Sequence, residues 1–235
     1  MNFLNLFLFQ IYPYIVLAVF AVGCWARFDY DPYTWRSGSS QLLSGKWLRM
    51  GSNWFHVGIL AVLGGHFVGL LTPHSIYSLF ITVEQKQLLA MWVGGIFGAA
   101  CLLGMTVLLL RRLFNVRVRA TGDGRDLLVL VLLYAQLLLG LGTIYLSAGH
   151  LDGSQMILLA EWAQHIVTFR AGAAEFVLSA HWLFKAHITL GLTLILIMPF
   201  TRLVHVWSIP VGYLRRPYQI VRKRQPAVDY ARRKA

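Results

Sequence analysis

Five stretches of this chain run for about twenty residues with almost no charge, the length a helix needs to cross the hydrocarbon core of a bilayer. Phe3 to Ala26, Leu88 to Leu110 and Leu127 to Ala148 carry no charged side chain, and Trp54 to Leu71 carries none if its two histidines are neutral. The fifth, about His181 to Val206, has Lys185 near its start and Arg202 near its end. In lipid every backbone N–H and C=O must be paired within the protein, so only helices and closed barrels cross. These runs are too long and continuous for barrel strands. The predicted fold is therefore all-α, an integral membrane bundle of five transmembrane helices.

Composition agrees. Charged residues make up 13% of the chain, where a soluble domain carries roughly a quarter. The formal charge of +12 would suggest nucleic acid in a soluble protein, but the basic residues sit in blocks between and after the apolar runs and no nucleic-acid-binding motif is visible. A nucleic-acid partner is therefore not expected, and membrane lipids are. Cys24 and Cys101 both fall inside apolar runs and argue for neither a disulfide framework nor a metal cluster. The first run lacks a basic segment before it, since the first positive side chain is Arg27. It reads as a retained helix rather than a signal peptide, with Pro13 placed to kink it.

The lysines and arginines give a direction. Of 21, eighteen lie in residues 26–50, 111–125 and 202–235, and only Lys86, Arg170 and Lys185 lie on the other side. Cytoplasmic loops carry the excess of positive charge, so the N-terminus is expected in the periplasm and the C-terminus in the cytoplasm. Residues 1–225 read as the membrane domain and 226–235 as a basic cytoplasmic tail. The outer loop 149–180 holds a short amphipathic segment around Ile157 to Phe169.

Ionisable side chains inside a membrane are costly, and each is a functional candidate. Four of the eight histidines qualify. His56 and His66 belong to the second run, His187 and His205 to the fifth. His74, His150 and His165 read as surface residues and His181 as interfacial. With the directions set by charge, His66 lies at the depth of His187, and His56 at the depth of His205. One imidazole from each of two facing helices at each of two levels is the ligand set of two bis-histidine haems. The spacing is imperfect: ten residues separate one pair and eighteen the other, rises of roughly 15 Å and 27 Å on continuous helices. Gly64, Gly65 and Gly69 flank His66 and Gly191 follows His187, leaving space for a flat macrocycle. Ordinary small-residue helix packing explains Gly65-x-x-x-Gly69 and Gly94-x-x-x-Gly98 equally well. Arg112 or Arg202, at the cytoplasmic ends, could pair with haem propionates, although the topology alone accounts for them.

Several longer motifs carry a resemblance. FLNLFLFQIYPYI opens the chain, RFDYDPYTWRSGSSQ follows the first run, and SNWFHVGILAVLGGHFVGLLTPH spans the second. RRLFNVRVRAT, HLDGSQM and FKAHITLGLTLILIMPFTRLVHVWSIPVGYL follow. Over about residues 2 to 224 the chain resembles the gamma subunit, the cytochrome b subunit, of bacterial respiratory membrane-bound nitrate reductase. The resemblance implies five helices in the cell inner membrane with the N-terminus outside. It implies two haems b, a distal one held by His66 and His187 and a proximal one held by His56 and His205. Quinol would be oxidised at the outer side beside the distal haem, where Lys86 and His66 are the catalytic candidates and Gly65 and Gly69 line the pocket. Electrons would pass to an iron–sulfur beta subunit and then to a molybdenum-containing alpha subunit that reduces nitrate. Two other readings stay open: a diheme cytochrome b subunit of another quinone-linked reductase complex, and a haem-free transporter or anchor.

Overall fold

The computed structural model describes residues 2–35, 45–120 and 124–207. The chain divides into two units, Met1–Val204 and His205–Ala235. Of the second only 205–207 are described; the expected tail 226–235 and the segment before it lie outside the described residues. No strand occurs among the described residues. Six helices carry the architecture: α1 (Phe3–Tyr30), α2 (Gly45–Leu71), α3 (Val83–Phe114), α4 (Gly124–Ser147), α5 (Ser154–Val167) and α6 (Trp182–Ile197). All but α5 belong to the five spans long and apolar enough to cross a membrane, with mean hydropathies of 1.7 to 2.4.

The boundaries differ from the sequence reading in ways that matter. Helix α2 begins nine residues before Trp54, so His56 lies within it rather than at its edge. Helix α3 begins at Val83, which moves Lys86 from a loop into the first turn. Helix α6 ends at Ile197. Pro199 stands in a 3₁₀ turn, Met198–Phe200, and His205 in a separate 3₁₀ segment, Arg202–Trp207. The 27 Å rise assumed a continuous helix from His187 to His205, so the disagreement in axial spacing has no basis.

Pro13 acts by a different route from a simple kink. The turn before it, Phe7–Ile11, is a π-turn in which the Tyr12 N–H bonds the Phe7 carbonyl. Proline has no N–H, so the Phe9 carbonyl loses its helical donor. The indole N–H of Trp162, on α5, donates to that carbonyl at 2.9 Å in a buried position. This ties α1 to α5, whose buried face of Ala160, Trp162, Ala163 and Ile166 makes it the amphipathic segment expected in the loop.

Arg27 plays the matching part at the other end of α1. Its guanidinium donates to the carbonyls of Pro199 and Thr201, both at 2.7 Å. Asp126, at the start of α4, takes Arg112 from α3 and Arg202 from beyond α6, each at 3.4 Å. Four of the five spans therefore have their basic ends gathered at one end of the bundle.

Between α2 and α3 the contact is close. A Cβ on Gly58 would lie 2.6 Å from the Cys101 Cβ, and a Cβ on Gly104 would overlap the backbone of Phe55. Lipid tails are as apolar as leucine, so helices associate through close packing of small residues and polar ties. Gly51, Gly58, Cys101 and Gly104 supply it here. The sequence reading singled out other glycines: Gly98 does pack, against Leu141 of α4, but Gly65 and Gly69 touch nothing.

Replacing Trp162 by Phe keeps the ring and removes the donor. Leaving the Phe9 carbonyl buried and unpaired should cost about 1–3 kcal/mol, read as a lower thermal unfolding temperature in detergent with unchanged helix content.

Candidate functional site

His66 on α2 and His187 on α6 meet. Their ring centres are 6.0 Å apart and the planes tilted by 38°. Two imidazoles that share one metal ion, each nitrogen about 2.0–2.1 Å from it, have ring centres about 6 Å apart. The depth argument from charge thus names two side chains that the fold brings together across 121 residues of chain.

The nitrogens suit ligation. The Nδ1–H of His66 donates to the Val62 carbonyl at 2.8 Å, one turn back, which leaves Nε2 with its lone pair. His56 has the same arrangement, Nδ1 at 2.7 Å from the Ser52 carbonyl and 3.1 Å from the Ser52 hydroxyl. That bond alone does not mark a ligand: His165 makes it too, to Glu161, and its ring lies against Phe176. His187 differs. Its Nδ1 is buried without a hydrogen-bond partner, and the Gln136 amide lies 3.5 Å from Nε2 and donates to the His187 backbone carbonyl at 3.1 Å. A Cβ on Gly140 would meet the His187 ring at 2.9 Å, and one on Gly191 would meet the Gln136 amide at 3.0 Å. Gln136 and Gly140, neither marked as a site residue by the sequence reading, both bear on His187 from α4.

The helix face beside His66 is open. Gly51, Gly58 and Gly65 recur every seven residues, a stripe that drifts only about 20° per step around a straight helix. The first two are pressed against α3. At Gly65, and at Gly64 and Gly69, an added Cβ would meet no atom within 4 Å; the same holds for Gly95 on α3. The stripe that packs at Gly58 is open at Gly65, one residue from His66. The exposed His66 imidazole, the facing His187 ring and the open glycine face together fit a flat group held between two histidines. No cluster of three or more His, Cys, Asp or Glu able to hold a metal occurs among the described residues, and a bis-imidazole haem does not need one.

Lys86 is the second unusual residue. It is 7% exposed, and its Nζ has no hydrogen-bond partner. The ammonium lies 3.6 Å from the centre of the Tyr77 ring. Thr82 caps α3, its side chain accepting from the Gln85 N–H while Gln85 returns a bond to the Thr82 N–H. That places a cation in the first turn, the end of a helix that disfavours it. Gln87 next to it anchors the end of α4 and the loop after it by donating to the Ser147 and His150 carbonyls at 3.1 and 2.7 Å.

The other sequence candidates have structural partners. Arg112 and Arg202 share Asp126. His181 caps α6, its Nδ1 accepting from the Leu183 N–H at 3.2 Å. His74 stands edge-on to Tyr77, ring centres 5.1 Å apart. His205 is half-buried in the last described segment, Arg202–Trp207.

A five-helix membrane protein with imidazoles paired between two of its spans is the class that this fold and site define. Comparison with known proteins sharpens it: the family model of the nitrate reductase gamma subunit matches residues 5–224, and the chain belongs to that family. It is 53% identical over 224 residues to the respiratory nitrate reductase 1 gamma chain of Escherichia coli, covering 95% of this chain and all of the relative. It is 50% identical over 224 residues to the 2 gamma chain of the same organism, covering 95% and 99%. With the nitrate reductase gamma chain of Bacillus subtilis it shares 39% identity over 218 residues, 92% of this chain and 97% of the relative. The protein is thus a transmembrane subunit of an oxidoreductase complex that contains other subunits.

If the opening beside His66 holds a macrocycle, filling it should spare the fold. Gly65→Leu should insert and unfold as the wild type does, because its Cβ meets no protein atom within 4 Å, yet its haem-to-protein ratio should fall to about half. Gly58→Leu should instead destabilise the bundle. Full haem content in a folded Gly65→Leu protein would contradict the reading.

Proposed function

We propose that this subunit oxidises quinol near the periplasmic face and passes the electrons inward to an iron–sulfur beta subunit, from which a molybdenum-containing alpha subunit reduces nitrate. The observation that carries the reading is the approach of His66 and His187 beside the glycine-lined opening. Two b-type haems, one between His66 and His187 and one between His56 and His205, would supply one-electron chemistry across the bilayer. The family match favours a nitrate reductase assembly over other quinone-linked complexes.

The residues have distinct tasks. His66 and His187 orient the outer group, and the Val62 carbonyl and the Gln136 amide hold those histidines in place. Lys86 offers ammonium N–H donors to a quinol oxygen, in a setting without competing protein acceptors. Gly65 and Gly69 leave room for a planar substrate next to His66. The basic ends gathered around Asp126 and Arg27 face the cytoplasm in this scheme, consistent with the positive-inside rule. Arg112 stands there, where a propionate would add to its bond with Asp126. Protons from quinol leave on the opposite side, the side of α5.

Alanine at His66 or at His187 tests the assignment. Either variant, purified with its partner subunits, should lose about half of the b-type signal in a reduced-minus-oxidised spectrum. Quinol-dependent nitrate reduction should disappear, and nitrate reduction by a dye that reduces the cytoplasmic subunits directly should persist. Retention of both haems and of quinol activity would overturn the proposal.

A further inference from the structure

We infer that Tyr77 is the positioning residue of the quinol site, holding the Lys86 ammonium over its ring so that the N–H donors point to the substrate. The inference rests on the reading of Lys86 as a quinol contact and extends it to a residue outside α2, α3 and α6.

The geometry carries it. Tyr77 ends the short helix His74–Tyr77 between α2 and α3, and it is 8% exposed. Lys86 lies across the connection, with its Nζ 3.6 Å from the ring centre. That is well inside the range in which an ammonium is attracted to an aromatic face. No oxygen accepts from Nζ. A buried ammonium without an anion or acceptor is expensive, and only the ring face offsets part of that cost. At least one N–H is directed at the ring face, and no protein oxygen takes the remaining donors, which the proposed ligand would. Helix α3 would not place the lysine there by itself, since the helix dipole disfavours a cation in its first turn.

The ring acts as a neutral face and not as an anion. Burial, and then the nearby carboxylate of Glu161, push the Tyr77 hydroxyl above its ordinary pKa. The phenol stays protonated at neutral pH, so the attraction is that of a cation for a quadrupole. The chemistry of the ring carries the effect, and its hydroxyl is dispensable for it.

Steady-state kinetics of the purified complex with a short-chain naphthoquinol test this. The variants are Tyr77→Phe, Tyr77→Leu, Lys86→Met and Tyr77→Leu with Lys86→Met, and haem spectra and dye-driven nitrate reduction serve as controls. Tyr77→Phe should match the wild type. Tyr77→Leu should raise KM for quinol roughly three- to tenfold, the range that a partly desolvated cation–π contact corresponds to. The controls should stay unchanged. On the Lys86→Met background the same replacement should change KM less than about twofold, because the cation it positions is gone. Unchanged KM in Tyr77→Leu alongside a raised KM in Lys86→Met would overturn the role of Tyr77 and leave that of Lys86 intact. A Tyr77→Leu effect that persists in full without Lys86, or a Tyr77→Phe as impaired as Tyr77→Leu, would also overturn it. Wild-type kinetics in Lys86→Met would remove the underlying reading, and this inference with it.

Discussion

The constraint on which the structure depends is that a backbone carbonyl in the membrane has no water to bond. A helix satisfies nearly all of them, and proline creates exceptions. Pro13 leaves the Phe9 carbonyl without its donor, and the indole of Trp162 takes it. Pro199 closes α6 early, and the guanidinium of Arg27 takes the carbonyls of Pro199 and Thr201. Each break in the ladder is thus repaired by a side chain from another helix. The repair becomes a tertiary tie: α1 is held to α5 near one end and to the close of α6 at the other. Gly23 lets this second tie close, since a Cβ there would stand 2.8 Å from the Pro199 side chain.

Much of the architecture was legible in the sequence because the bilayer imposes it. Twenty uncharged residues have few other uses, so all five spans were found. Their ends were less legible. Asn53 and Ser52 are polar, and a hydropathy count stops there, yet α2 continues to Gly45 because nothing in those residues breaks a helix. At the other extreme Pro199 sits in an apolar run that hydropathy carries to Val206, and the helix stops regardless. Charge asymmetry and span order together put His66 opposite His187 before any coordinate was known. Depth is a one-dimensional quantity, and alternating helix direction fixes it.

What the sequence did not reveal depends on rotation about the helix axis and on neighbours distant in the chain. Small-residue motifs do not say which glycines touch another helix. Gly65-x-x-x-Gly69 has the packing spacing and packs against nothing, and Gly58 and Gly104, with no such pairing, are buried against α3 and α2. Tyr77 carried no signal either. It stands nine positions from Lys86 in a connection that reads as a loop, and only the turn His74–Tyr77 folds its ring under the ammonium.

The divergence of α2 and α3 connects these observations. A uniform heptad of small residues would seal the two helices along their whole length and leave no place for a planar group. Here Gly51 and Gly58 are closed on and Gly65 is open, a change over two turns of helix. On α3 the close contacts fall at Gly104 and Cys101, and Gly95 is open in the same way. The Thr82 to Gln87 turn starts α3 beside the α4–α5 loop, where Gln87 binds it to the Ser147 and His150 carbonyls and Gly153, with φ +74, lies against Val83. The start of α3 is thus anchored to the end of α4 and the loop after it, and its later turns are the ones pressed against α2. Lys86 stands in that same anchored first turn, with its ammonium over Tyr77.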